Sequence, residues 1–149
     1  MKENDQMKTT NSGSATYEGL GKDGKGHVST GSGALAAQPY GFNTRFEDAP
    51  GTNPEELVAA AHASCFTMAL SFKLAEAGFT DGKVTTSAEV TLEKQDDGFT
   101  VTRSALSTKG KVEGMDQAKF EELAADAKAN CPISRLLNCD ITLETKFEG

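Results

Sequence analysis

Clustered basic residues are what this sequence most plainly lacks. Its 15 Lys and Arg are outnumbered by 22 Asp and Glu, for a formal charge of −7 and a pI near 4.8, and no Lys/Arg run occurs. Nucleic acid and anionic membranes are therefore excluded as expected partners, since both need concentrated positive charge. Tryptophan is absent as well, but eight Phe, 37% hydrophobic and 25% charged residues keep the chain within the soluble globular class. No apolar run is long enough for a membrane span by sequence: the longest, Leu57 to Phe72, has about 16 residues where roughly 20 are needed. It predicts a buried core helix. The N-terminal MKENDQMKTTNSGS has no apolar signal core, which leads to the expectation of a cytoplasmic protein. Cysteine is sparse and odd in number, three in 149 residues, so a structural disulfide framework is not expected and each thiol must be considered singly.

A chain of this length can bury one continuous core. No internal repeat, low-complexity tract or linker divides it. Residues 1–13 read as a flexible polar tail, with Met7 as an alternative start, and residues 14–149 as one domain. Two short strands, Ser14 to Leu20 and His27 to Leu35, flank the turn GKDGKG. The stretch from Ala37 to Thr52 reads as a long loop carrying Tyr40, Phe42, Arg45 and Phe46, and long aromatic loops are commonly functional or tightly packed. Asn53-Pro54-Glu55-Glu56 starts a helix: a capping side chain, a proline at the first position, and acids at the positive dipole end. Gly78 ends it.

Beyond that helix, alternating residues predict strands over Lys83 to Glu93 and Phe99 to Val112, joined at Asp96-Asp97-Gly98. Asp116 caps a helix over Gln117 to Ala129; Pro132 opens a short one through Leu137; Ile141 to Phe147 closes as a strand. The order ββαββααβ implies an α+β fold of mainly antiparallel hairpins around one central helix.

Few motifs carry chemistry. Gly19 to Lys25 imitates a phosphate loop, but Gly26 replaces the required Ser or Thr and a strand follows instead of a helix, so nucleotide binding is set aside. His62 and Cys65, three apart on a helix, could share a metal with Cys131 or Cys139, yet no CxxC pair or second nearby His completes a tetrahedral set. The plainer reading of His62 is a hydrogen-bonded core or interface histidine. Cys65, in mid-helix among small residues, reads by itself as an inert small hydrophobe. Cys131 is different, because it precedes Pro132 at a helix cap, where free N–H groups and the helix dipole stabilise a thiolate. Cys139 reads as packing. Arg45 can equally be solvated or paired with a carboxylate, and Glu55 and Glu56 are explained as first-turn acids. Together, an Arg, a carboxylate and two cysteines suggest thiol chemistry, in which the cation favours a thiolate and orients a peroxide oxygen.

Three separated segments, PYGFNTRFE, then GTNPEELVAAAHASCFTMALS followed by EAGF, and finally NCPISRLL, resemble the OsmC/Ohr family, and more the OsmC branch than the organic hydroperoxide resistance branch. The resemblance runs from about Ala15 to Phe147. It implies an OsmC-like α+β fold with antiparallel sheets, a long buried central helix and an intertwined homodimer. It further implies a peroxidase that reduces organic hydroperoxides in oxidative or osmotic stress defence. By motif, Cys65 becomes the peroxidatic thiol, Cys131 the resolving thiol, Arg45 the activating cation and Glu55 the acid that positions it. This reverses the order of the two cysteines reached from the residues alone. A dithiol, with lipoyl groups as the donor, is implied as reductant, and no metal, haem, flavin or other cofactor. Phe42, Phe46, Phe66 and Met68 are expected to line an apolar pocket for the alkyl group.

Helix geometry adds an argument about assembly. Glu55 and Cys65, ten residues apart on one helix, are separated by roughly 15 Å along its axis. If both serve one site, a second copy of the chain contributes one of them. Two other classes compete with the peroxidase. One is a non-enzymatic thiol redox sensor or ligand-binding module, which would consume one peroxide per subunit and stop. The other is a cysteine hydrolase with His62 as base, for which no orienting partner or oxyanion donor is evident in the sequence.

Overall fold

The GKDGKG turn reverses the chain between strands β1 (Gly13–Glu18) and β2 (Lys25–Thr30), paired antiparallel from Gly13 opposite Thr30 to Glu18 opposite Lys25. Gly19 and Gly21 adopt the left-handed conformation that the turn requires (φ 64° and 81°). The computed structural model describes residues 7–149; the first six residues of the expected tail, Met1 among them, lie outside the described residues. The described chain forms two compact units, one ending at Pro54 and one running Glu55–Gly149.

In the first unit, the stretch expected to be one long loop contains two short elements. Strand β3 (Gln38–Tyr40) adds antiparallel to β2, and α1 (Phe42–Phe46) follows at once. Local hydrogen bonding accounts for this helical turn. The Gly41 N–H donates to Thr44 Oγ1 at 2.8 Å and the Thr44 hydroxyl donates to the Gly41 carbonyl at 3.0 Å. A side chain thus supplies the bonds that such a short helix cannot make for itself. Tyr17 and Tyr40 meet edge to face with ring centroids 5.9 Å apart.

Helix α2 (Pro54–Glu76) is 23 residues long, with Pro54 first, Glu55 and Glu56 in the first turn and Lys73 in the last. Its C-terminus closes in a Schellman arrangement: Gly78 N–H to Ala75 O at 2.9 Å and Phe79 N–H to Leu74 O at 3.0 Å, with Gly78 at φ 98°. By length and composition α2 could cross a membrane, longer than the apolar run suggested. One face instead belongs to a protein core. His62, Phe66, Leu70 and Leu74, four residues apart, are buried, while Met68 and Phe72 stand 64% and 65% exposed.

Strands β4 (Lys83–Gln95) and β5 (Gly98–Lys111) form a long antiparallel hairpin with an irregularity at Thr91/Leu92. Ser104, Leu106, Thr108 and Gly110 of β5 alternate inward. Asp116 caps α3 (Gln117–Asn130) by accepting from Lys119 N–H at 2.7 Å; α4 (Pro132–Leu136) follows, then β6 (Asp140–Glu148). β6 pairs parallel with β5, giving the order β4-β5-β6. The sheet is thus mixed where antiparallel pairing was expected. The two helices between β5 and β6 are the reason, since they form a crossover long enough to return the chain in the same direction.

The core of this unit gathers Phe66, Leu70 and Leu74 of α2, Leu106 of β5, and Phe120, Ala124 and Ala127 of α3, all at 0–4% exposure. Each large side chain buried here contributes about 1.5–3 kcal/mol. Gly110 leaves space for Phe120, whose ring lies where a Cβ would stand. Lys73 on α2 and Asp126 on α3 pair at 2.7 Å at the rim.

Candidate active site

The apolar face of α2 and the loop that opens α4 bring Cys65 and Cys131 together. Cys131 is both the C-cap of α3 and the N-cap of α4, with extended backbone (φ −64°, ψ 144°), and it is 1% exposed. Cys65, one turn of α2 beyond His62, is partly exposed, and its side chain lies near that of Cys131. Both thiols, and Cys139, are free.

Three influences act on the Cys65 thiol. Burial pushes it up from the ordinary thiol range, the Ile133 backbone N–H pulls it down, and the adjacent Cys131 pushes it up again; the net direction is upward. Neighbouring hydroxyls offer it nothing: Ser64 and Thr67 donate to the α2 backbone, to Ala61 O at 3.1 Å and Ala63 O at 2.7 Å. A positive charge beside it would favour the thiolate. Cys139, also raised by burial and by Asp140, lies against the Ser104 backbone.

Behind the two thiols runs a buried polar chain. The Cys131 thiol donates to Ser134 Oγ at 3.1 Å, and Ser134 N–H donates back to Cys131 Sγ at 3.4 Å. Ser134 Oγ lies 2.7 Å from His62 Nε2, and His62 Nδ1 lies 2.6 Å from Ser104 Oγ. His62 is wholly buried, and burial holds its pKa below the ordinary histidine value. It is a hydrogen-bonded core histidine, the plainer of its two expected roles. With both ring nitrogens occupied by hydroxyls, it has none left for a metal. Ser134 and Ser104 were not singled out by sequence. Ser134 stands three residues after a cap, where a capping partner is sought, and Ser104 falls on the inward face of β5.

Glu55 and Arg45 are the other two site candidates. Glu55 is in the first turn of α2, and since α2 is unbroken it is about 15 Å along the axis from Cys65. Arg45 belongs to the first unit, where Tyr17, Lys22, Tyr40, Phe42, Arg45 and Phe46 line a cavity of about 360 Å³. The Arg45 guanidinium carbon is 5.6 Å from the Phe46 ring centroid, and Lys22 Nζ is 5.0 Å from that of Phe42. Of the expected pocket walls, Phe42 and Phe46 do line this cavity. Phe66 does not: it is 0% exposed in the core of the second unit, because its place on the buried face of α2 points it inward.

A family model described as OsmC-like protein matches residues 46–146. Peroxiredoxin OsmC of Escherichia coli (strain K12) is 53% identical over 137 residues, spanning 92% of this chain and 96% of that protein. Organic hydroperoxide resistance protein OhrB of Bacillus subtilis (strain 168) is 31% identical over 125 residues, 81% of this chain and 89% of that one. The crystal structure of Bacillus subtilis OhrB superposes with a TM-score of 0.67 at 28% identity, covering 91% of this chain and 98% of that one.

Proposed function

The chain belongs to the OsmC-like protein family, and from that membership we infer that it is a cysteine-based peroxidase that reduces organic hydroperoxides to alcohols. One observation carries the residue roles: two free thiols from distant parts of the sequence, Cys65 and Cys131, lie close enough that Cys131 acts on the titration of Cys65, at the edge of the core. Cys65, the more exposed, is the peroxidatic thiol. Its thiolate attacks the O–O bond; an S–O bond forms, the O–O bond breaks, and the alkoxide departs as alcohol after taking a proton. The buried Cys131 thiol then displaces the sulfenic oxygen as water and closes a Cys65–Cys131 disulfide. A dithiol of the lipoyl type reopens it by two exchanges and is itself oxidised to its disulfide.

Arg45 is the cation that the Cys65 thiol needs, held by Glu55. The aromatic cavity around Arg45 supports this reading, since it offers an apolar lining for an alkyl chain beside a guanidinium for the peroxide oxygens. Because Glu55 and Cys65 lie far apart on one straight helix, the site is completed across a homodimer, in which the exposed Met68 and Phe72 of α2 find cover. Residues 14–149 act as one peroxidase domain in the cytoplasm.

The test is cumene hydroperoxide consumption by substoichiometric protein with dihydrolipoamide in excess. Sustained turnover is expected. A single burst of one peroxide per subunit, unchanged by other dithiols, identifies a redox sensor instead.

A further inference from the structure

The peroxidatic half of this cycle leaves the chain Cys131–Ser134–His62–Ser104 without a task. It is an expensive feature for a small core. A histidine and two hydroxyls are buried along with the apolar residues, and each buried polar group must be satisfied by another. An apolar side chain at position 62 would fill the same space without that requirement.

The directions of the hydrogen bonds follow from the donors present. Since the Cys131 thiol donates to Ser134 Oγ, the Ser134 hydroxyl proton is free to point at His62 Nε2, which makes Nε2 the acceptor. His62 Nδ1 then carries the hydrogen and donates it to Ser104 Oγ at 2.6 Å. The chain therefore runs in one direction, from the Cys131 thiol to the lone pair of a neutral imidazole. Burial keeps that imidazole neutral and its lone pair available, and no charged side chain shares in the shift. The titratable groups beside it are Cys65, one turn along α2, and Cys131, at the head of α4; the groups that touch it from β5 and α4 are the hydroxyls of Ser104 and Ser134.

We propose that His62, acting through Ser134, is the positioning residue that removes the proton from Cys131 during disulfide closure. This rests on the reading of Cys131 as the resolving thiol. In the step, the Cys131 S–H proton passes to Ser134 Oγ while the Ser134 hydroxyl proton passes to His62 Nε2. The imidazolium is held by Ser104, and the Ser134 backbone N–H supports the new thiolate. The thiolate electron pair forms the S–S bond, the Cys65 S–O bond breaks, and the leaving hydroxide takes a proton from solvent to become water; His62 afterwards gives its own proton up to solvent, which restores the balance. One thiol and one sulfenic acid give one disulfide and one water, with no outside oxidant.

The experiment is quenched-flow oxidation with one equivalent of cumene hydroperoxide, following dimedone-trapped sulfenic acid and disulfide by mass spectrometry across pH. Wild type, His62→Gln and Ser134→Ala are compared, the last in case the first fails to fold. Sulfenic acid should form equally fast in all three. Closure should be at least about tenfold slower in both variants near neutral pH, in line with loss of a relayed base, with the deficit shrinking as hydroxide takes over at higher pH. Closure at the wild-type rate, or slowed by one factor at every pH as a merely structural defect would give, overturns the inference. Wild-type protein that forms no Cys65–Cys131 disulfide overturns instead the peroxidase reading beneath it.

Discussion

The Cys65 and Cys131 side chains are neighbours, one from the middle of a 23-residue helix and one from the junction between two others. A disulfide between them therefore needs little of the chain rearrangement that thiols set further apart would require. The two thiols also differ in access, because Cys65 is partly exposed while Cys131 is sealed from solvent.

That difference predicts distinct phenotypes for the two thiols. Cys65→Ser should abolish peroxide consumption, whereas Cys131→Ser should still form one sulfenic acid, trappable by dimedone, without closing a disulfide. Mass spectrometry after peroxide treatment reads both. Multi-turnover activity retained in Cys65→Ser overturns the assignment.

Arg45→Ala addresses the cation. Burial and Cys131 both raise the Cys65 thiol, so a nearby positive charge has to bring it down. The variant should show a Cys65 titration moved to higher pH and a first step slowed in proportion to the lost thiolate fraction, by up to about 10-fold near neutral pH if the midpoint moves from about pH 8.5 to about 9.5. The pH dependence of alkylation by iodoacetamide measures this, and an unchanged titration removes Arg45 from the role.

The homodimer can be tested by complementation. If Arg45 and Glu55 of one copy serve Cys65 of the other, a refolded mixture of Cys65→Ser and Arg45→Ala chains contains one intact site per mixed dimer. Activity should then exceed that of either variant alone. A mixture no more active than the average of its components, with mixed dimers present by native mass spectrometry, places each site within one chain.

Much of this fold is legible in the sequence because its signals are local. Pro54 with two following acids, Gly78, and Asp116 mark helix ends through their own hydrogen bonds and dihedrals, and the alternation from Lys83 to Val112 marks a hairpin. What was not legible depends on tertiary partners. The α1 turn rests on Thr44 bonding back to Gly41, a spacing common in loops. The parallel placement of β6 depends on which strand receives it. Cys65 looked inert by its own neighbours, and only the family resemblance ranked it first. Ser104 and Ser134 gain meaning only from His62, far from both in sequence.

Gly110 predicts a packing defect. A Cβ there would occupy the place of the Phe120 ring, and Phe120 is fully buried, so the ring cannot swing away into solvent. Gly110→Ala should destabilise the chain by about 1–3 kcal/mol, the usual cost of overpacking a core. Chemical denaturation monitored by circular dichroism measures it; wild-type stability would mean that Phe120 repacks without strain.

His62 also predicts how stability responds to pH. Its folded pKa lies below the ordinary 6.5, with burial the cause, so between those two values the unfolded chain binds a proton that the folded chain refuses. Stability contributed by the neutral imidazole is therefore complete above about pH 6.5 and declines as pH falls from there to the folded value. Asp126 has the same sign in a different window. Lys73 holds its pKa below the ordinary 3.8, so its contribution is present above that value and is lost only as pH falls through the folded one. Melting temperatures recorded from about pH 8 downward should thus fall in two separated stages, and His62→Gln should lose the upper one alone. A wild-type melting temperature flat through the upper window would mean that the buried imidazole accepts a proton without cost, which a wholly buried ring between two hydroxyls does not allow.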